Sequence, residues 1–308
     1  MFKSKWRKLG MVAGLSISLL AAAGCGQNDT ANNGEEDQAS STGNVGEQVE
    51  FTITGIEPGA GITQATDKAL TEYENLSGWE QQKASTGAML TELGDAIDNE
   101  EPIVVAGWTP HYMFAKWDLK YLKDPKNVYG DVEHISTIAR KGLKEEMPEA
   151  HTILDRFQWE PADMEEVMLA AQDSSFEEAA QQWIDKNQDT VAKWTEGVEP
   201  VDGTPIELVL TPWDTERSSA HVVKIVLEEQ GFDVTLTPVD PSVMFQAIAT
   251  GDGDASLAPW MPATHGAFYE KFKGEFVDLG ENLVGAKIGL VVPKYMDIDS
   301  IEDLEPAQ

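Results

Sequence analysis

The chain has 308 residues, 41% of them hydrophobic with nine Trp, enough for two domains with sizeable cores. Its formal charge is -32, and the acidic residues are spread along the whole length. That charge excludes nucleic acid as a partner and disfavours polyanions, while a zwitterion is indifferent to it. The single Cys excludes an internal disulfide, so the fold depends on its core.

Residues 1–24 read as a signal peptide. Lys3, Lys5, Arg7 and Lys8 give a basic start, and Leu9 to Leu20 an apolar run too short to span a bilayer. Small residues then precede Cys25, which resembles a bacterial lipoprotein box, with Ala22 standing where Leu is commoner. Cys25 is the expected lipidation site, anchoring the mature chain on the extracellular face of the cell membrane. Residues 25–48 read as a lipidated flexible tether, because Gln27 to Gln48 has almost no large apolar side chain.

From Val49 the pattern is strand, turn, helix, strand, helix, strand. Val49–Ile56 alternates as a strand and breaks at Pro58-Gly59-Ala60-Gly61; Ile62–Tyr73 is expected to be helical. A weak strand near Trp79–Lys83, a helix over Gly87–Asp98 and a strand over Ile103–Ala106 lead to Trp108. The same order recurs about 155 residues later. Ile206–Leu210 is a strand, Pro212-Trp213-Asp214 a break, Ser218–Glu229 a helix, Phe232–Thr237 a strand and Ser242–Thr250 a helix. Ala255–Ala258 is then a strand leading to Trp260. Each copy ends in Trp, a Pro two residues on and a His soon after: G-W-T-P-H and W-M-P-A-T-H. Strands alternating with helices indicate parallel sheets, and the duplication indicates two facing lobes.

His134–Arg140 and Lys287–Val292 read as crossover strands, each leaving one lobe to complete the other's sheet. Pro148 opens a helix, and Pro293 precedes a further one over Ile298–Leu304. The lobes are then residues 49–132 plus 286–308, and 133–285. Met164–Thr195 is expected to be helical, with Trp183 and Trp194 facing the core.

No hydrolase, zinc-protease or phosphate-loop motif is present, and the five His lack metal-ligand spacing. The chain reads as a non-enzyme with no metal and no cofactor. The turn G-I-E-P-G-A-G-I (residues 55–62) delivers a helix start whose N–H groups suit an anion, although a simple tight turn would also explain it. Trp108, Trp213 and Trp260 all fall at carboxyl ends of strands, where open α/β sheets bind ligands. Three indole faces suit a quaternary ammonium, which has no hydrogen to donate and is held by cation–π attraction and dispersion.

The motifs G-I-E-P-G-A-G-I, G-W-T-P-H, P-W-D-T-E and W-M-P-A-T-H resemble those of the glycine betaine binding lipoproteins of osmoprotectant ABC importers, in the OpuAC-type branch. The resemblance covers the chain from about Val49. It implies an α/β, two-lobed periplasmic-binding-protein-like (type II) fold with two crossover strands and lobes in permuted order. It further implies a monomer that delivers glycine betaine and proline betaine to a permease with its ATPase. Trp108, Trp213 and Trp260 would cage the ammonium; the backbone N–H groups of Gly61 and Ile62, with His265, would hold the carboxylate. His111 carries no role in this reading, and that of Tyr112 is open. The alternatives are a binder of choline, carnitine or a sulfonium compound, a betaine-sensing domain, and a hydrolase of choline esters.

Overall fold

The computed structural model describes residues 44–307, which lie within one compact unit, Gly43–Gln308. The leader, Cys25 and the tether as far as residue 43 lie outside the described residues. Regular structure starts earlier than Val49, with the short helix α1 (Val45–Gln48).

The first half runs β1 (Thr52–Thr54), α2 (Gly61–Glu72), β2 (Glu80–Gln82), α3 (Thr86–Asp98), β3 (Val105–Thr109), α4 (Met113–Lys116) and β4 (Leu119–Tyr121). β5 (Glu133–Arg140) leads to α5 (Leu143–Glu146), α6 (Pro148–Arg156), α7 (Pro161–Ala171), α8 (Phe176–Lys186) and α9 (Gln188–Thr195). The second half repeats the pattern as β6 (Thr204–Leu210), α10 (Asp214–Glu229), β7 (Phe232–Pro238), α11 (Pro241–Thr250) and β8 (Ala255–Ser256). It ends with β9 (Trp260–Met261), α12 (Gly266–Phe272) and β10 (Phe276–Pro293).

Sequence dictates several of these boundaries. Ser85 and Ser175 cap α3 and α8 by accepting from the N–H of Ala88 and Glu178. Pro148, Pro161 and Pro241 each occupy a first helical turn, where a missing N–H costs nothing. Gly251, at φ 78°, ends α11 in the left-handed conformation. The long helix expected over Met164–Thr195 is cut into α7, α8 and α9, and its Trp183 and Trp194 are buried and stacked with ring centroids 6.0 Å apart. Past Pro293, the helix expected over Ile298–Leu304 is only a single 3-10 turn, Ile301–Asp303.

The strands run in the order β2-β1-β3-β10-β5-β8-β6-β7, with β4 also on β10 and β9 on β5. β1 lies between β2 and β3 in parallel, and β6 lies between β7 and β8 in parallel, so the duplication in sequence is a duplication in space. Every antiparallel pairing among the described strands involves β5 or β10. β10 is far longer than the Lys287–Val292 expected of it. From Phe276 to Ala286 it pairs with β5, and from Lys287 to Val291 it pairs with β3. β5, which follows the first half in sequence, lies in the sheet of the second. Both strands therefore cross, as the sequence indicates, and the fold is the two-lobed one expected. The Thr109–Pro110 and Met261–Pro262 bonds that follow the two Trp are both cis.

Candidate functional site

Gly61, Ile62, Trp108, Trp213, Trp260 and His265 line one cavity, together with Ile56, Ala60, Thr215, Glu216, Thr264 and Ile288. About 30 Å³ of it is open to the centre of a water molecule, room for one compact group. The topology explains the convergence. Gly61 follows β1 and Trp213 follows β6, the middle strands of the two halves, while Trp108 sits in β3 and Trp260 in β9. Trp108 thus lies within its strand, opposite Ile288 of the crossing strand β10. Trp108 and Trp260 are 5% and 4% exposed, walls of the cavity rather than rim residues.

None of the three indoles stacks on another among the described ring contacts. Trp108 instead meets His111 edge-on at 4.7 Å between centroids. Two of the indoles are fixed by carboxylates. The Trp213 Nε1–H donates to Glu57 Oε2 at 3.0 Å, and the Trp260 Nε1–H donates to Glu216 Oε1 at 2.9 Å. Glu57 stands in the turn of the first half and also accepts from the N–H and hydroxyl of Thr86, each at 2.9 Å. Its bond to Trp213 therefore ties one half to the other. Trp213 also lines a larger open cleft beside the cavity, together with Glu57, Tyr112, Asp214 and Arg217, so it forms the partition between the two.

The cavity is also lined by N–H donors. α2 starts after Ala60, which has no polar side chain to cap it, and no acidic residue lies in its first turn. The N–H groups of Gly61 and Ile62 have no partner among the described residues, as orphan groups of a helix start do. They carry the positive end of the helix dipole. α10 opens the corresponding turn of the second half, also without a side-chain cap, but it carries Asp214 and Glu216 in its first turn. One helix start is left without acid, and the other carries two acidic residues, of which Glu216 meets the indole of Trp260.

His265 completes the set of donors. It is 1% exposed, and its Nδ1 accepts from the N–H of Trp260 at 3.0 Å. Burial pushes its pKa down to about 4, so near neutral pH the ring is uncharged and the proton must sit on Nε2. That N–H is buried without a partner. A buried donor left unpaired is costly, and a ligand acceptor would remove the cost. His111 is equally buried and its pKa falls to about 3 for the same reason, but it does not line the cavity. Tyr112 lies in the outer cleft.

The halves meet closely at Gly61. A Cβ added there would stand 2.4 Å from the carbonyl oxygen of Thr264 and 2.5 Å from its Cγ2. The Thr264 loop cannot yield, because buried Glu133 accepts from the N–H of Ala263 at 2.7 Å, the N–H of Thr264 at 2.8 Å and the Thr264 hydroxyl.

Sequence reasoning missed Glu57 and Glu216, although both stand inside motifs it singled out, G-I-E-P-G-A-G-I and P-W-D-T-E. The signal was an acidic residue close to a helix start, with a Trp nearby only in the second motif. Among the described residues there is no group of three His, Cys, Asp or Glu side chains placed to hold a metal, and no helix long and apolar enough to cross a membrane.

Two lobes joined by crossing strands and meeting over a small cavity define a solute-binding protein. The chain belongs to the OpuAC family, the substrate binding domain of ABC-type glycine betaine transport systems, whose model matches residues 32–186 and 204–308. It is 47% identical over 305 residues to the glycine betaine/carnitine transport binding protein GbuC of Listeria monocytogenes serotype 1/2a (strain 10403S), covering 98% of this chain and 99% of that one. It is also similar to lactococcal OpuAC in its closed-liganded conformation complexed with glycine betaine. There the identity is 52% and the TM-score 0.48, over 49% of this chain and 59% of that chain. For the glycine/betaine/L-proline-binding protein ProX of Borrelia burgdorferi the values are 30% and 0.47, over 49% and 58%. Each of these superpositions spans less than two thirds of the solved chain.

Proposed function

We propose that this protein captures glycine betaine, and also proline betaine, and hands it to the permease of an ABC importer. The observation that carries this reading is the lining of the cavity: three indoles and three N–H donors without protein partners border the same small space. Trp108, Trp213 and Trp260 hold the quaternary ammonium, and the N–H groups of Gly61 and Ile62 with His265 Nε2–H hold the carboxylate. Up to about 2 kcal/mol per desolvated ring supplies a large share of the roughly 8 kcal/mol that micromolar affinity requires. Choline would leave the three donors unpaired, which ranks it below a betaine. The cage and clamp bind and do no chemistry.

The lobes are residues 49–132 plus 286–308, and 133–285; the change of β10 from one partner strand to the other after Ala286 supports the boundary. Titration calorimetry tests the ligand. Saturable binding of both betaines, with choline far weaker, is expected; equal binding of choline removes the carboxylate clamp, and no binding returns the indoles to packing. Trp213→Ala should weaken glycine betaine by at least about tenfold, since it removes one ring and opens the cavity to the outer cleft. An unchanged Kd takes Trp213 out of the cage.

The lipid anchor is part of the same reading. The protein works as a monomer at the extracellular face of the membrane, held by lipidated Cys25. Cys25→Ser should move it from the membrane fraction to the medium, read by immunoblot of the two fractions; retention on the membrane sinks the anchor.

A further inference from the structure

Glu216 is 2% exposed, lines the cavity and has no Lys or Arg partner among the described ion pairs. Its neighbour Arg217 lies over the ring of Phe176 at 4.2 Å. Carboxylates are almost never fully buried unless paired with a cation, because taking the charge out of water is expensive. Here two donors, the Trp260 indole N–H and the Thr215 hydroxyl, meet both oxygens, yet no protein cation does. The cationic partner is missing from a carboxylate that borders a cavity for a cation.

We propose that Glu216 is the countercharge of the site: the ligand's quaternary ammonium completes an ion pair with it, and the carboxylate both positions Trp260 and makes the cavity select a charged trimethylammonium over a neutral group of the same shape. This deepens the betaine reading and rests on it. Rings attract a cation through their quadrupole as well as by dispersion, and hold a tert-butyl group by dispersion alone. A formal charge in a dry cavity discriminates between the two.

A proton linkage follows. Burial pushes the pKa of Glu216 up to about 7, against the pull of its two hydrogen bonds. Asp214, on the same helix and itself raised by burial, adds a like charge. His265, which also lines the cavity, stays neutral, and Glu57 is engaged with Trp213 and Thr86. A cation beside Glu216 favours the ionised form and lowers its pKa in the complex. Affinity should therefore be full above about pH 7 and fall as the pH drops below it, with proton release on binding in that window.

The test uses the purified full-length protein, glycine betaine and its carbon isostere 3,3-dimethylbutanoate, which keeps the carboxylate but has an uncharged tert-butyl end, with calorimetry in two buffers from about pH 6 to about pH 8. Glu216→Gln keeps the acceptor for Trp260 and removes the charge. The wild type is expected to lose about tenfold in betaine affinity across that range. The variant should show no pH dependence, bind betaine roughly tenfold less tightly at the upper end, and bind the isostere unchanged. Equal losses for both ligands would reduce Glu216 to a prop for Trp260 and overturn the countercharge. So would wild-type binding that is independent of pH without proton release. Failure of the wild type to bind betaine at any pH would overturn the functional reading itself.

Discussion

Replacing Trp260 with Ala is expected to weaken glycine betaine binding by about a hundredfold or more, beyond the effect at Trp213. One desolvated ring accounts for up to about 2 kcal/mol, or roughly thirtyfold. Trp260 also supplies the N–H that holds Glu216, and it is 4% exposed, so its loss leaves a buried acid short of a donor and a hole in the second half. Truncating a buried Trp costs about 3–5 kcal/mol of stability, so a melting curve should be recorded beside the calorimetry. Trp260→Phe helps to separate the causes, since it keeps an aromatic face, although a smaller one, and loses the N–H. A Kd within twofold of wild type in a folded Trp260→Ala protein would remove Trp260 from the ligand.

Gly61→Val is expected to cost about as much by another route. Gly61 has no left-handed backbone; what it provides is space. Any Cβ there meets the Thr264 carbonyl, part of a loop that Glu133 fixes, so the two halves could not come together over the cavity. The variant should fold, since the clash lies between the two halves rather than inside the core of either. Wild type gains about 2.7 kcal/mol of stability from ligand at a hundred times its Kd. The variant should show almost none of that rise in melting temperature, and at least a hundredfold weaker binding by calorimetry. Gly59→Ala is the matched control: nothing stands within 4 Å of a Cβ there, and neither property should change. If Gly61→Val binds like wild type, the close approach at Thr264 does not accompany binding.

Much of this was legible because the duplication repeats its punctuation. Pro and Gly after β1, Pro-Trp-Asp after β6, and the Trp-x-Pro ends mark the same places twice, so the order of elements along the chain and the turns that line the cavity could be set out from sequence. What failed were features that tertiary structure decides. Val49–Ile56 shrinks to Thr52–Thr54 because Glu50 and Phe51 take positive φ and turn the chain. The first half of β10 is hidden by Gly280 and Gly285, both at positive φ, and by three register shifts against β5, which spoil a clean alternation. Glu57 and Glu216 were lost for a different reason. Among 54 acidic residues in a chain of this charge, two more look like solvated surface, and only burial and the indole N–H bonds single them out.

The crossing strand β10 has a consequence for how the chain is made. Its Lys287–Val291 segment lies along β3, so the sheet begun by β1, β2 and β3 receives an inner strand from about 180 residues downstream. A chain emerging N-terminus first cannot finish that sheet until nearly everything else has appeared. The first half must wait, open at the edge of β3, while the second half assembles. Dividing the sequence between the two copies would yield one fragment without its inner strand and another with a strand end projecting beyond its own sheet. Neither piece could be stored, inherited or exchanged as a free-standing module.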